Sequence, residues 1–461
     1  MILGEIMVYD VIVVGTGPGG SIAGKTAAEL GLNTLMLERG SYPGAKNASG
    51  CALSPKLWRD FDFMKDLSPE ICPSMRKVRI HTSHFINKDL QEEFAFSQTP
   101  SQSLNTYKEA KEFFTTNLYR SEFDPWLAKL AVDAGAELKT STLVVDLTRR
   151  DDGKVNGVIT DSGEKIEGKI IIGADGAWSL VARKAGIRAK WQKDEVTLVV
   201  SYDFQCEKDL VDEVIGDNGI HTWLGGGFPG AYQFFKADGF HLGLGNWLSN
   251  FDANPRSHLS TALKIDGLRK LIKLTKAKPR EFHAHLLPWL KYPGKTYTHN
   301  VMLIGDAAGF PCPFEAEGIW YAMYSGQIAA QIAKKAIDAE DTSKQFLKQY
   351  EDAWKDSEIG VEFEAGPELQ EFWANLPFTP KNMEWFATIM NDLFGVFETG
   401  EAHITYSKRI NELLIEKADL LVPFFNRYFI PLLTKSYKQQ LGDLKGIQSM
   451  MKQLTKSKKK R

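Results

Sequence analysis

Three glycines near the start of this chain, Gly15, Gly17 and Gly20 in "VVGTGPGGS", stand at the spacing G-x-G-x-x-G. The first permits a tight turn, the second lets backbone approach a pyrophosphate, and the third lets helix and strand pack closely. With Pro18 and Gly19 they open a helix whose first N–H groups suit phosphate oxygens. Further on, Glu38, followed by Arg39, offers a carboxylate to ribose hydroxyls. Two more pieces share this logic: Asp175-Gly176 in "GADG" and Gly305-Asp306 in "GDAAG". Each Asp follows a buried-strand pattern and precedes a helix. There it either holds a ribityl or ribose hydroxyl or simply caps that helix. A helix starting near Gly318 and Ile319 would aim its N–H groups at the electron-rich pyrimidine edge of a flavin. The three spaced pieces together point to FAD.

The elements that must position these residues are legible. Tyr9 to Val14 is a β-branched run typical of a strand covered on both faces, and Ala23, Ala27, Ala28 and Leu30 give the next segment a small-residue helical character. Gly31 suits a helix C-cap, "NTLMLE" a second strand, and Ile170 to Ile172 another. The expected fold is α/β: a Rossmann-like FAD-binding domain in three pieces, 1–75, 110–190 and 295–340. Inserted in it, 76–109 and 191–294 would form a mixed-sheet substrate domain. Residues 341–461 would be a helical C-terminal region with a basic tail. Segments such as "VTLVVSYDF" and "AYQFFKADGFHLGLG" alternate as strands do, and a cavity is expected where the two units meet. "GGGFPG" at 225–230 also fits the glycine expression, but Pro229 and the strand-like sequence after it mark a loop.

Trp223, Tyr232, Phe234, Phe235, Phe240 and Trp247 are each ordinary core material, and only as a group do they suggest a long apolar substrate. His283 and His285 alternate with apolar residues as on a half-buried strand, so both face one way. His285 is a candidate proton donor, with a structural histidine as the alternative.

Composition excludes several classes. A net charge of −2 gives no bulk attraction for nucleic acid. Cys51, Cys72, Cys206 and Cys312 are too scattered for a metal or iron–sulfur site or for a disulfide framework, which suggests a reducing cytoplasm. No apolar run reaches the ~18 residues of a spanning helix, so a soluble protein or one peripheral on the inner face of a membrane is expected. Near the C-terminus, Phe424, Phe425, Tyr428, Phe429 and Ile430 precede Lys452, Lys456, Lys458, Lys459 and Lys460. That pairing reads as an interfacial anchor or, equally, as a packed hairpin with a solvated tail.

The combination of G-x-G-x-x-G, "GADG" and "GDAAG" resembles the FAD-dependent oxidoreductases of the glutathione-reductase-like superfamily, which include aromatic hydroxylases, geranylgeranyl reductases and electron-transfer-flavoprotein:quinone oxidoreductases. Within it, "ERGSYPGAKNASGCAL" resembles the FixC-like branch of the quinone oxidoreductases. The resemblance implies that Gly44, Ala45, Lys46 and Asn47 line the path from ribose to isoalloxazine; by its charge Lys46 is a candidate for stabilising reduced flavin, with a surface salt bridge as the equal alternative. It also implies that Arg120 contacts FAD and that the strand at Val144 meets adenine. The partners it implies are an electron-transfer flavoprotein as donor, a membrane quinone as acceptor, and a separate ferredoxin-like iron–sulfur subunit, since no cysteine follows Cys312. The alternative is a geranylgeranyl or polyprenyl reductase acting on an isoprenoid lipid. Such enzymes usually carry Cys-Gly where this chain has Ser49-Gly50, with Cys51 displaced beyond it.

Overall fold

In the computed structural model, the described residues are 8–45, 49–99, 112–227, 230–250, 254–313 and 316–375. The first strand, Val8–Val14, lies between Lys165–Gly173 and Thr34–Leu37 and pairs in parallel with both. Ile12, Val13 and Ile170–Ile172 are fully buried, as a strand covered on two faces requires. Glu137–Lys139 extends the sheet at one side, and Val301–Leu303 with Tyr297–Thr298 at the other. The antiparallel hairpin Val144–Arg149/Val155–Thr160, turning at Asp152-Gly153, attaches to Lys165–Gly173.

Two helices pack together against this sheet, Pro18–Glu29 and Ile319–Asp338. Their small residues are a steric requirement. A Cβ on Gly19 would stand 2.8 Å from the Ala322 carbonyl oxygen, and one on Gly326 would stand 2.4 Å from that of Gly19. Gly31 follows the first helix with φ +78°, the left-handed conformation that ends it.

A second, seven-stranded sheet runs in the order Lys278–Pro288, Val196–Gln205, Gly239–Trp247, Ala231–Phe235, Asn218–Gly225, Ile80–Ile86, Glu92–Gln98. It draws on both chain segments expected to be strand-rich. Asn218–Gly225 and Ile80–Ile86 pair in parallel, and the other neighbours are antiparallel, so the sheet is mixed. The glycine-rich stretch after Leu224 joins two antiparallel strands, in keeping with a loop. Three helices that strand alternation did not announce, Lys208–Ile215, Pro255–Ala262 and Asp266–Leu274, supply Val211, Leu259 and Leu268 to a core under one face of this sheet. Trp223, Phe235 and Phe240 fill that core.

Helices Lys344–Lys355 and Glu358–Asn375 follow. No helix among the described residues is long and apolar enough to cross a membrane. The anchor-or-tail segment lies outside the described residues.

Candidate active site

A cavity of about 1100 Å³ is lined by residues of both sheets. It exceeds the ~300–1,000 Å³ of a typical single-ligand pocket, so it has room for a dinucleotide and a second reactant. Gly15, Gly17, Pro18, Gly19 and Gly20 form part of its wall. Gly15 has φ +96°, and a Cβ on Gly20 would fall 1.9 Å from the Gly15 carbonyl oxygen, so the turn admits no side chain there. Gly17 caps the helix without a side-chain acceptor, which leaves the first-turn N–H groups for a ligand's phosphates.

Glu38 stands at the end of the second strand with its carboxylate fixed from three sides. Its Oε2 accepts from Thr16 N (3.0 Å) and Thr16 Oγ1 (2.8 Å), and its Oε1 accepts from Gly40 N (2.7 Å). Thr16, buried inside the glycine pattern, is the partner that spacing alone did not reveal. Arg39, Val144 and Gly176 lie along the same wall with Trp178 and Arg183, whose guanidinium is 5.9 Å from the Trp178 ring centroid.

Arg120 opens the helix Arg120–Asp133, and its Nη2 lies 2.6 Å from Asp124 Oδ2. Burial raises the Asp124 carboxyl, and the adjacent guanidinium opposes that shift. A Cβ on Gly17 would stand 3.5 Å from Arg120 Nη2, so the cation sits beside the phosphate turn. Gly44, at φ +84°, presses on the same helix, where a Cβ would meet the Arg120 carbonyl at 2.6 Å. Gly44 lines the cavity. Ala45 does not, its Cβ resting instead near Gly40. Lys46 and Asn47 lie outside the described residues.

At two positions the structure departs from expectation. Asp175 lines the cavity, yet its carboxylate is used internally: Oδ2 accepts from Leu180 N (2.7 Å) and Val181 N (3.0 Å), and Oδ1 accepts from Ser179 Oγ. It is the helix-capping alternative, because the short helix Leu180–Lys184 has orphan N–H groups to satisfy. Ile319 likewise does not present its N–H to a ligand. Glu317 Oε1 accepts from Ile319 N (2.8 Å) and Trp320 N (3.0 Å), capping the long helix. Gly318 and Ile319 still line the cavity, with Gly305 and Asp306 alongside: a Cβ on Gly318 would stand 3.5 Å from Asp306 Oδ1. Asp306 is half-buried, and desolvation raises its carboxyl, with His285 and Arg120 drawing it back.

The second sheet supplies the far wall. Strand alternation turns Thr197 and Val199, Tyr232 and Phe234, Gly245 and Trp247, and His285 and Leu287 toward the cavity. Tyr232, Phe234 and Trp247 thus separate from the other three aromatics, which face the opposite core. Gly50 and Gly243 make room for them: a Cβ on Gly50 would strike the Phe234 ring at 2.4 Å, and one on Gly243 the Tyr232 hydroxyl at 2.6 Å. Trp247 stacks on Trp289 at 4.4 Å, and Trp289 Nε1 donates to Pro313 O (2.8 Å), tying this sheet to the segment after Asp306. His285 Nδ1 is occupied with the Leu286 carbonyl at 2.5 Å. A neutral His285 therefore holds its proton on Nδ1 and offers only an acceptor at Nε2. His283, on the same face, bonds Asp203 at 3.2 Å instead of lining the cavity.

Cys51 lines the wall in the left-handed region, φ +46°. Burial pushes its thiol up to about 12, so it is not a poised nucleophile. No group of three potential metal ligands occurs among the described residues. The residues present fit FAD: a side-chain-free phosphate turn, a fixed ribose carboxylate, and a cavity that runs on past Gly305.

This is the site and fold of an FAD-dependent oxidoreductase. Residues 8–356 match the family model described as FAD binding domain, and the chain belongs to that family. It is 30% identical over 359 residues to digeranylgeranylglycerophospholipid reductase of Methanocaldococcus jannaschii, a match covering 76% of this chain and 83% of that one. It is also 29% identical over 351 residues to protein FixC of Bradyrhizobium diazoefficiens, covering 70% and 75% respectively. The crystal structure of a geranylgeranyl bacteriochlorophyll reductase-like protein from Thermoplasma acidophilum shares the fold. Its TM-score is 0.71 at 24% identity, with 90% of this chain and 99% of that one covered.

Proposed function

We propose that this chain uses FAD to saturate carbon–carbon double bonds in the isoprenoid chains of a lipid of the digeranylgeranylglycerophospholipid type. The observation that carries the proposal is the single cavity that passes from the dinucleotide turn onto an apolar wall of Val199, Phe234, Trp247, Leu287 and Trp289. The likeness to the methanogen reductase supports it. When bound and reduced, FAD would supply a hydride, and a proton taken up from solvent would complete each saturated bond. The protein's part is to hold the cofactor at Gly15–Gly20, Glu38 and Arg120, to seat an apolar chain against the second sheet, and to keep water out.

A second reading retains the quinone. The FixC likeness and the "GAKN" stretch favour electron transfer from an electron-transfer flavoprotein to a membrane quinone beside a ferredoxin-like subunit. Both readings use one apolar wall and differ in the acceptor. The discriminating experiment reduces the FAD-loaded protein anaerobically and follows reoxidation with a geranylgeranylated phospholipid and, separately, with a short-chain quinone. The reductase reading expects rapid reoxidation by the lipid. Reoxidation by quinone alone would overturn it in favour of electron transfer.

A further inference from the structure

Lys236 is fully buried, at the end of the strand Ala231–Phe235. Its Nζ donates to the carbonyl oxygen of Gly50 at 2.9 Å and stands 4.9 Å from the centre of the Tyr119 ring. The Arg280 guanidinium lies 4.8 Å from that same ring centre. Among the described residues no carboxylate reaches Lys236 within ion-pair distance. Asp203, Asp238 and Glu122 act on it only from further away, favouring its charge against the burial that lowers its pKa. An ammonium buried without a partner carboxylate costs several kcal/mol in the general case, and strand packing alone gives no reason to bear that cost, since a methionine would fill the same space.

What the charge touches suggests its use. Gly50, with Ser49 and Cys51, forms cavity wall. Cys51 lies within electrostatic reach of both Arg120, beside the phosphate turn, and Lys236, on the second sheet. Gly50 abuts the cavity-facing ring of Phe234. The segment therefore spans the junction between the dinucleotide turn and the substrate wall. With the adenosine end placed at Glu38 and the phosphates at Gly15–Gly20, the redox end of the cofactor belongs at that junction.

We propose that Lys236 is a positioning residue for the redox end of the site: through the Gly50 carbonyl it fixes the Ser49–Cys51 wall, and its buried positive charge behind that wall favours the reduced cofactor. The inference rests on FAD binding and not on which acceptor follows, so it survives either outcome of the lipid and quinone comparison.

The test uses the full-length, FAD-loaded protein and the variants Lys236→Met, Lys236→Gln and Lys236→Arg. The two-electron midpoint potential is read by equilibration with a reference dye. Loss of the charge in Met and Gln is expected to shift the oxidised-to-reduced equilibrium at least tenfold toward oxidised, about 30 mV, while Arg stays close to wild type. A second readout is the alkylation rate of Cys51 in the ligand-free protein, followed by peptide mass spectrometry. Met, which cannot donate to Gly50, should accelerate it about tenfold. Gln, which can, should not; if Met fails to fold, Gln serves for the potential and Lys236→Leu for the alkylation. An unchanged potential in a neutral variant that binds FAD overturns the electrostatic role. Equal Cys51 reactivity in Met and wild type overturns the positioning role.

Discussion

Glu38 shows how much one side chain carries. Three donors fix its carboxylate at the edge of the cavity, so Glu38→Ala removes both the ribose acceptor and the anchor of the Thr16–Gly40 corner. The expected result is FAD affinity weakened by about 10–100-fold, on the scale of charge-assisted hydrogen bonds, measured by fluorescence titration. His283 gives a prediction with a sign. Its bond to Asp203 raises its pKa in the folded state. The stabilisation is therefore fully present below the ordinary histidine pKa of about 6.5 and is lost as pH rises through the higher folded value. His283→Gln should cost about 1–2 kcal/mol at pH 5.5 and progressively less above neutrality, as read by urea denaturation against pH.

At this scale the glycine turn and the placement of Glu38 at the strand end were legible because both follow from spacing along one strand–turn–helix unit. The use of Asp175 and of the Ile319 N–H was not, since a short-range contest over orphan N–H groups decides both, and the Asp175 and Glu317 carboxylates take those groups for the protein. Lys236 left no sequence signal. Its partner, Gly50, is distant in the chain and meets it only through sheet packing.

Among elements, the turn from Val8–Val14 into Pro18–Glu29 is the most constrained. Gly20→Ala would drive a Cβ into the Gly15 carbonyl at 1.9 Å, whereas Gly31→Ala meets nothing within 4 Å and is strained only by its φ of +78°. Gly31→Ala should cost about 1 kcal/mol. Gly20→Ala should cost several times more and abolish FAD retention. Thermal melts together with flavin-to-protein absorbance ratios check both. The strands were readable from β-branched runs and alternation. The helices at 208–215 and 255–274 were not, because short amphipathic segments inside a strand-rich stretch do not show a clear helical period on inspection.

For the whole molecule, the expectation of two sheets around one flavin cavity came from patterns that span the chain, while the cavity's continuity emerged only from the fold. A buried ion-pair cluster is among the ties that hold the later helices to the FAD-binding part. Lys56 Nζ lies 2.9 Å from Glu358 Oε1 and 3.0 Å from Glu362 Oε1, with Glu362 wholly buried. Lys56→Met takes the cation away from the buried Glu362 and leaves Glu358 paired with Arg59 alone, and should destabilise by about 3–5 kcal/mol. Glu362→Gln leaves Lys56 paired with Glu358 and should cost clearly less, as chemical denaturation would show.

The proposed reaction has the apolar wall seat an isoprenoid chain for reduction. The most direct measurement is the mass of a geranylgeranylated phospholipid recovered after one anaerobic turnover with the reduced, FAD-loaded protein. Reduction of the isoprenoid chain predicts lipid heavier by one hydrogen molecule per flavin oxidised. Lipid of unchanged mass, recovered from protein whose flavin a quinone reoxidises, would contradict it.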